Sequence, residues 1–85
     1  MEQRRQIAIL GSTGSIGTQA LEVIRSHRDE LEASVLVARS SAGLLIAQAK
    51  EFRPQAVVIA DERHYPEVRE ALTPLGIEVL TGAEA

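Results

Sequence analysis

Gly11, Gly14 and Gly17 stand three residues apart in GSTGSIG, directly after the apolar run Gln6 to Leu10. A glycine at the first position permits a tight turn off a strand. At the second, the missing Cβ lets the backbone approach a pyrophosphate. The third lets a following helix pack closely on the strand. The start of that helix adds unpaired N–H groups and a partial positive charge. Thr13, Ser15 and Ile16 lie where their N–H groups could point at phosphates, and Ser12, Thr13 and Ser15 add hydroxyls. The spacing is G-x-x-G-x-x-G rather than G-x-G-x-x-G. Its strand–turn–helix setting favours dinucleotide binding over a turn that serves packing alone.

The end of the second strand says which dinucleotide. NAD-binding versions place a carboxylate there for the ribose 2′-hydroxyl. Here Val37-Ala38 is followed by Arg39, Ser40 and Ser41. A guanidinium and two hydroxyls suit a 2′-phosphate, so the expected ligand is NADP. Two plainer roles stand beside this one: a serine capping the next helix, and a solvated surface arginine.

No other residues group for chemistry. Asp29, Glu30 and Glu32 read as a solvated loop, and Asp61-Glu62 as a helix start. His27 falls near a helix end, and His64 has no ligand partner at a convincing spacing. No metal site is expected within the chain.

These positions need a frame, and the pattern supplies one. Gln6 to Leu10 is a short buried strand. Ile16, Ala20, Val23 and Ile24 mark the apolar face of a helix from Ser15 to about His27. Ser34 to Ala38 is a second strand. Ala42, Leu45, Ile46, Ala49 and Phe52 mark a second helix, which Pro54 stops. AVVIA, Ala56 to Ala60, does not alternate and so is buried on both faces. Asp61 is placed to cap the next helix. Val68, Leu72 and Leu75 define that third helix, with Pro66 in its first turn and Gly76 after its end. Ile77 to Leu80 is a fourth strand. The order β-α-β-α-β-α-β implies an α/β, Rossmann-type parallel sheet with helices on both faces. The expected spatial order is 3-2-1-4.

Eighty-five residues make one small domain or a piece of a larger one. Thr81 to Ala85 read as the loop and first turn of a further helix, so a longer doubly wound domain is expected. Tyr65 and Phe52 are the only aromatics, which leaves a core of Ile, Leu, Val and Ala. The net charge of -3 argues against a nucleic-acid surface. With no cysteine there is neither disulfide nor thiolate metal site. No segment reads as a signal peptide or reaches the roughly 20 apolar residues of a membrane span. A cytoplasmic protein without membrane partners is expected.

AILGSTGSIGTQALEVI resembles the opening of the 1-deoxy-D-xylulose 5-phosphate reductoisomerase family. The likeness continues through LLIAQAKEFRPQAVVIADE, Leu44 to Glu62, and GIEVLTG, Gly76 to Gly82. It covers nearly the whole chain. The resemblance implies the NADPH-binding N-terminal part of an enzyme that rearranges 1-deoxy-D-xylulose 5-phosphate and reduces it with NADPH. The product is 2-C-methyl-D-erythritol 4-phosphate, in non-mevalonate isoprenoid biosynthesis. It implies a divalent metal, Mg or Mn, and a homodimer for the full-length enzyme. Thr13, Gly14, Ser15 and Ile16 would then contact the NADPH phosphates. At Arg39, Ser40 and Ser41 the family commonly has Gly, then Arg or Lys, then Asn, so the cation is kept but shifted by one position. The family's metal carboxylates, substrate-phosphate ligands and mobile loop fall beyond residue 85, so the chain alone is not expected to be catalytic. Two other readings remain: the first part of an extended short-chain or semialdehyde-type dehydrogenase, and a dinucleotide-binding module without catalysis.

Overall fold

The computed structural model describes residues 5–82. Four strands alternate with three α-helices: β1 Arg5–Leu10, α1 Ser15–Ser26, β2 Leu31–Ala38, α2 Ala42–Phe52, β3 Ala56–Ile59, α3 Tyr65–Leu72 and β4 Glu78–Thr81. Single 3₁₀ turns at Glu62–His64 and Thr73–Leu75 flank α3. The chain's punctuation acts where its chemistry says it should. Arg53, the residue before Pro54, takes the left-handed conformation that ends α2 (φ 50°). Pro66 sits in the first turn of α3, where its missing N–H costs nothing. Gly76, at φ 80°, turns the chain into β4. Thr81 closes β4, and Ala83 to Ala85, where the sequence suggests a further helical turn, fall outside the described residues.

All four strands are parallel, but their order is β1-β2-β3-β4. The expected 3-2-1-4 order is therefore corrected: β4 lies beside β3, not beside β1. Reaching the free edge of β1 would carry the chain back across three strand spacings, roughly 14 Å, to the other side of the sheet. The short α3 crossover instead delivers the next strand to the neighbouring position. Gln55 helps to seat it, its carbonyl accepting from the Glu78 N–H at 3.1 Å.

The strand order also decides where the helices lie. Right-handed crossovers that all step in one direction return on one face. Accordingly α2 packs on α3 on one side and is bridged to α1 on the other, through Arg25 and Glu51. The expectation of helices on both faces is met on one face only among the described residues. Beneath the helices runs the register row Ile9, Leu36, Val57 and Val79, all buried and all in the main core cluster. Leu21 and Ile24 of α1, Leu45 and Ala49 of α2, and Val68 and Leu72 of α3 close over it. The opposite row, Leu10, Val37, Val58 and Leu80, lies on the other face, where Val58 in the middle of the sheet is buried and Leu10 at its edge is 79% exposed.

Helix α1 buries a different stripe from the one its apolar residues suggest. Gly17, Leu21 and Ile24 face inward, with Ala20 half-buried. Ile16 and Val23, expected in the core, are 83% and 53% exposed. The cause is steric and lies in the glycine loop. An added Cβ on Gly17 would stand 2.1 Å from the Gly11 carbonyl oxygen and 2.7 Å from the Ser12 Cα. Only the glycine face of α1 can approach this backbone, and that choice turns Ile16 out.

Candidate phosphate-binding site

The carboxyl end of the sheet gathers the two places singled out by sequence. At the first, Gly11 takes φ 72° and turns the chain off β1. The Gly14 N–H closes the turn onto the Gly11 carbonyl at 3.0 Å. Gly14, extended at φ -86° and ψ 176°, is the N-cap of α1 and has no side chain to cap with. The first helical bond runs from the Thr18 N–H to the Gly14 carbonyl, 2.9 Å. The N–H groups of Ser15, Ile16 and Gly17 lie ahead of it, as the unsatisfied donors of any helix start do. Gly14, Ser15 and Ile16 are exposed, so the Ser15 and Ile16 donors lie at the open rim of the loop, while Gly17 is buried beneath it.

The three glycines therefore have three distinct jobs. Gly11 is needed for its backbone angle and Gly17 for close approach within the chain. Gly14 is needed for neither: its φ suits any residue, and an added Cβ would meet only the Gly11 carbonyl, at 3.4 Å. What a side chain there would obstruct is the space in front of the loop.

Ser12 corrects an expectation. The sequence places its hydroxyl toward the ligand, yet the residue is wholly buried. The turn at Gly11 directs it inward. Its N–H donates to the Val37 carbonyl at 2.8 Å, and its own carbonyl accepts from the Gln48 amide at 2.8 Å. Thr13 is half-buried and Ser15 exposed. Gly17 is likewise buried, and its contribution is to let α1 sit against the loop.

The second place lies between β2 and α2. Arg39, Ser40 and Ser41 are all exposed. Ser41 is the N-cap of α2, but its side chain makes no capping bond. The simple capping role is thus not what occupies these hydroxyls. Backbone bonds hold the segment in place: the Arg39 carbonyl accepts from the Asp61 N–H at 2.8 Å, and the Ser40 carbonyl from the Ala42 N–H at 2.8 Å. Among the described residues the Arg39 guanidinium has no ion pair. The segment is a fixed backbone carrying a cation and two hydroxyls with free bonding capacity.

The remaining charged residues act elsewhere. Arg25 forks onto Glu51 (2.6 and 2.9 Å) and also reaches Glu22 at 2.9 Å. Arg28 joins Glu51 at 3.2 Å, and both arginines lie over the Phe52 ring. The Arg25 guanidinium holds the Glu51 carboxyl below its usual range, with Arg28 adding to the effect. This cluster clamps the far ends of α1 and α2. His27 contacts the Val23 carbonyl at 3.0 Å, and His64 stands 3.7 Å from Glu67. Among the described residues no three His, Asp or Glu side chains come together as a metal site. The donors present do not fit a divalent cation.

A parallel α/β sheet with a glycine loop at the end of β1, open N–H groups at the start of α1 and a cation after β2 defines a unit of the Rossmann type. Comparison with known proteins makes this more particular. The sequence model described as 1-deoxy-D-xylulose 5-phosphate reductoisomerase matches residues 7–85, and the chain belongs to that family. The reductoisomerase of Bacteroides thetaiotaomicron is 55% identical over 83 residues, 98% of this chain and 21% of that protein. That of Porphyromonas gingivalis is 50% identical over 82 residues, 96% and 21% of the two chains. The Zymomonas mobilis reductoisomerase, solved with NADPH, superposes with a TM-score of 0.90 at 34% identity, over 96% of this chain and 22% of that one. A reductoisomerase solved with NADPH, fosmidomycin and magnesium superposes with a TM-score of 0.86 at 32% identity, over 94% and 20%. The chain thus spans about a fifth of the length of the relatives it matches.

Gln48 is the site residue that sequence reasoning passes over. A signal is there. A lone glutamine interrupts the apolar stripe of α2, three residues after Leu45 and four before Phe52.

Proposed function

We propose that the chain is the NADPH-binding N-terminal portion of a 1-deoxy-D-xylulose 5-phosphate reductoisomerase, serving the conversion of 1-deoxy-D-xylulose 5-phosphate to 2-C-methyl-D-erythritol 4-phosphate. The observation that carries this reading is the division of labour among the loop glycines. Gly11 and Gly17 answer needs of the chain itself, whereas Gly14 keeps clear a space that no part of the described chain fills. The N–H groups of Thr13, Ser15 and Ile16 would receive the pyrophosphate, and Thr13 and Ser15 add hydroxyls beside it. Arg39 would take the 2′-phosphate with Ser40 and Ser41. Exposed Ile16 offers an apolar surface next to the loop. When bound, NADPH supplies the hydride for reduction. The loop and the Arg39–Ser41 turn hold and orient it.

The family resemblance assigns the metal-dependent rearrangement to parts of the reductoisomerase beyond this segment, and the segment's part in it is to hold the cofactor. Assembly as a homodimer and a cytoplasmic setting are part of the same proposal, supported by the family resemblance alone.

The test is a comparison of NADPH and NADH binding by calorimetry. NADPH should bind more tightly. Replacing Arg39 with Ala should weaken NADPH by roughly 1.5–3 kcal/mol, the range of a lost hydrogen bond to a charged group, and leave NADH nearly unchanged. Equal effects on both ligands would overturn the assignment of Arg39.

A further inference from the structure

Gln48 and Ser12 form the one buried polar contact between α2 and the glycine loop that the hydrogen bonds of the described residues show. Gln48 is 7% exposed and Ser12 0%. The Gln48 Nε2 donates to the Ser12 carbonyl at 2.8 Å. That bond leaves two atoms without partners among the described residues, the Gln48 Oε1 and the Ser12 Oγ, both buried. Burying an unpartnered oxygen opposes folding, and an apolar side chain of the same shape would avoid the penalty. Stability alone is therefore a poor reason for glutamine here. What glutamine supplies, and methionine does not, is a donor aimed at one carbonyl.

That carbonyl belongs to the loop. Ser12 is held from two directions: its N–H by the Val37 carbonyl of β2, its carbonyl by Gln48 of α2. The same two elements bracket Arg39, Ser40 and Ser41. The loop is thus fastened to the pair of elements that carries the second polar place. A ligand that touches both places at once benefits only when their separation is right. Gln48 also stands at the floor of the cleft between α1 and α2, beside Thr18, Leu21 and Leu44.

We infer that Gln48 is a positioning residue for the cofactor: through the Ser12 carbonyl it fixes the glycine loop relative to the Arg39–Ser41 turn, so that one NADPH can engage both. The inference rests on the NADPH reading above, and its test separates the two. In Gln48→Met the donor is lost while the volume is kept. In Gln48→Leu the donor is likewise lost, in a branched apolar side chain of similar size. Both variants should exchange the hydrogen-bonded loop amides of Ser12, Gly14 and Thr18 with deuterium at least tenfold faster than the parent chain, without faster exchange in β3. Both should bind NADPH about tenfold more weakly. NADH, which lacks the 2′-phosphate, should lose much less, so the NADPH-to-NADH preference should shrink. Unchanged loop exchange would overturn the inference. So would an equal loss for both ligands, which would leave the spacing between the two places without a role, or unfolding of both variants, which would make Gln48 a residue of stability alone. Failure of the parent chain to bind NADPH would remove the cofactor reading and the inference with it. Faster loop exchange in the variants would then still show that Gln48 holds the loop.

Discussion

The three strand–helix junctions at the carboxyl end of the sheet are built from similar residues and end differently. After β1, the helix cap is Gly14, which offers no side chain, and the first N–H groups of α1 stay open. After β2, the cap is Ser41, whose hydroxyl makes no capping bond, beside an Arg39 with no ion pair among the described residues. After β3, Asp61 satisfies its own junction. Its carboxylate accepts from the Arg63 N–H at 3.0 Å and from the Arg63 guanidinium at 3.1 and 2.8 Å. The third junction even supports the second, through the bond from the Asp61 N–H to the Arg39 carbonyl. The contrast separates structural polar groups from available ones. A junction that bonds to itself has no capacity left for a ligand, whereas two neighbouring junctions with capacity left over can share one.

The strongest way to break this comparison is at Gly17. Alanine there should gain up to about 1 kcal/mol in helix propensity. Against that, its Cβ would need to sit 2.1 Å from the Gly11 carbonyl oxygen, and both partners are backbone. Overpacking against backbone should dominate, for a net loss of about 3 kcal/mol or more. In a domain of this size that is a large share of total stability. Urea denaturation of Gly17→Ala checks it. A loss below about 1 kcal/mol would mean that the first junction tolerates a looser α1 than its geometry indicates.

Gly14 sharpens the same comparison with a smaller effect of a different kind. In Gly14→Ala the backbone keeps an ordinary φ, and the new methyl group finds the Gly11 carbonyl at 3.4 Å. Stability should change by less than about 1 kcal/mol, the usual scale at an N-cap. NADPH affinity should fall about tenfold, or about 1.4 kcal/mol, because the methyl group stands where the pyrophosphate would approach. The same urea titration, paired with calorimetry, reads both quantities. Unaltered affinity would mean that the ligand does not use the space in front of Gly14.

The sequence reveals much of this arrangement, and what it conceals has physical causes. Helix α2, Ala42–Phe52, is legible because its apolar stripe and Pro54 agree. The loop is legible because only glycine meets its demands at Gly11 and Gly17. The inward face of α1 is not, because hydrophobicity ranks Ile16 and Val23 above Gly17, while close approach to the loop backbone requires Gly17 inside. The start of β2 at Leu31 is hidden for another reason. Asp29, Glu30 and Glu32 read together as a solvated loop, yet pairing from Arg5↔Leu31 onward places Glu32 inside the strand. The place of β4 is a matter of crossover direction, which no local residue encodes. Ser12 looks like its hydroxyl neighbours in the loop, and only the turn at Gly11 shows that it points inward.

The closed junction gives the smallest effect and the clearest sign. The Arg63 guanidinium, and after it the Arg63 N–H, pulls the Asp61 carboxyl down from its ordinary 3.8 to about 2. Because the folded state holds this proton less tightly than the unfolded chain does, the ionised carboxylate favours folding. That contribution is complete above the ordinary pKa of 3.8 and is lost as the pH falls from there through about 2. The Asp61 side chain is near the surface, so the loss should be modest and should shrink further in high salt. An NMR titration of the Asp61 carboxyl should show the depressed midpoint. Asp61→Asn should remove the matching portion of the acid-side fall in stability while leaving NADPH affinity nearly as it was. A normal Asp61 midpoint would erase the distinction between the closed junction and the open pair. A large loss of NADPH affinity in Asp61→Asn would place the third junction in the binding site rather than beside it.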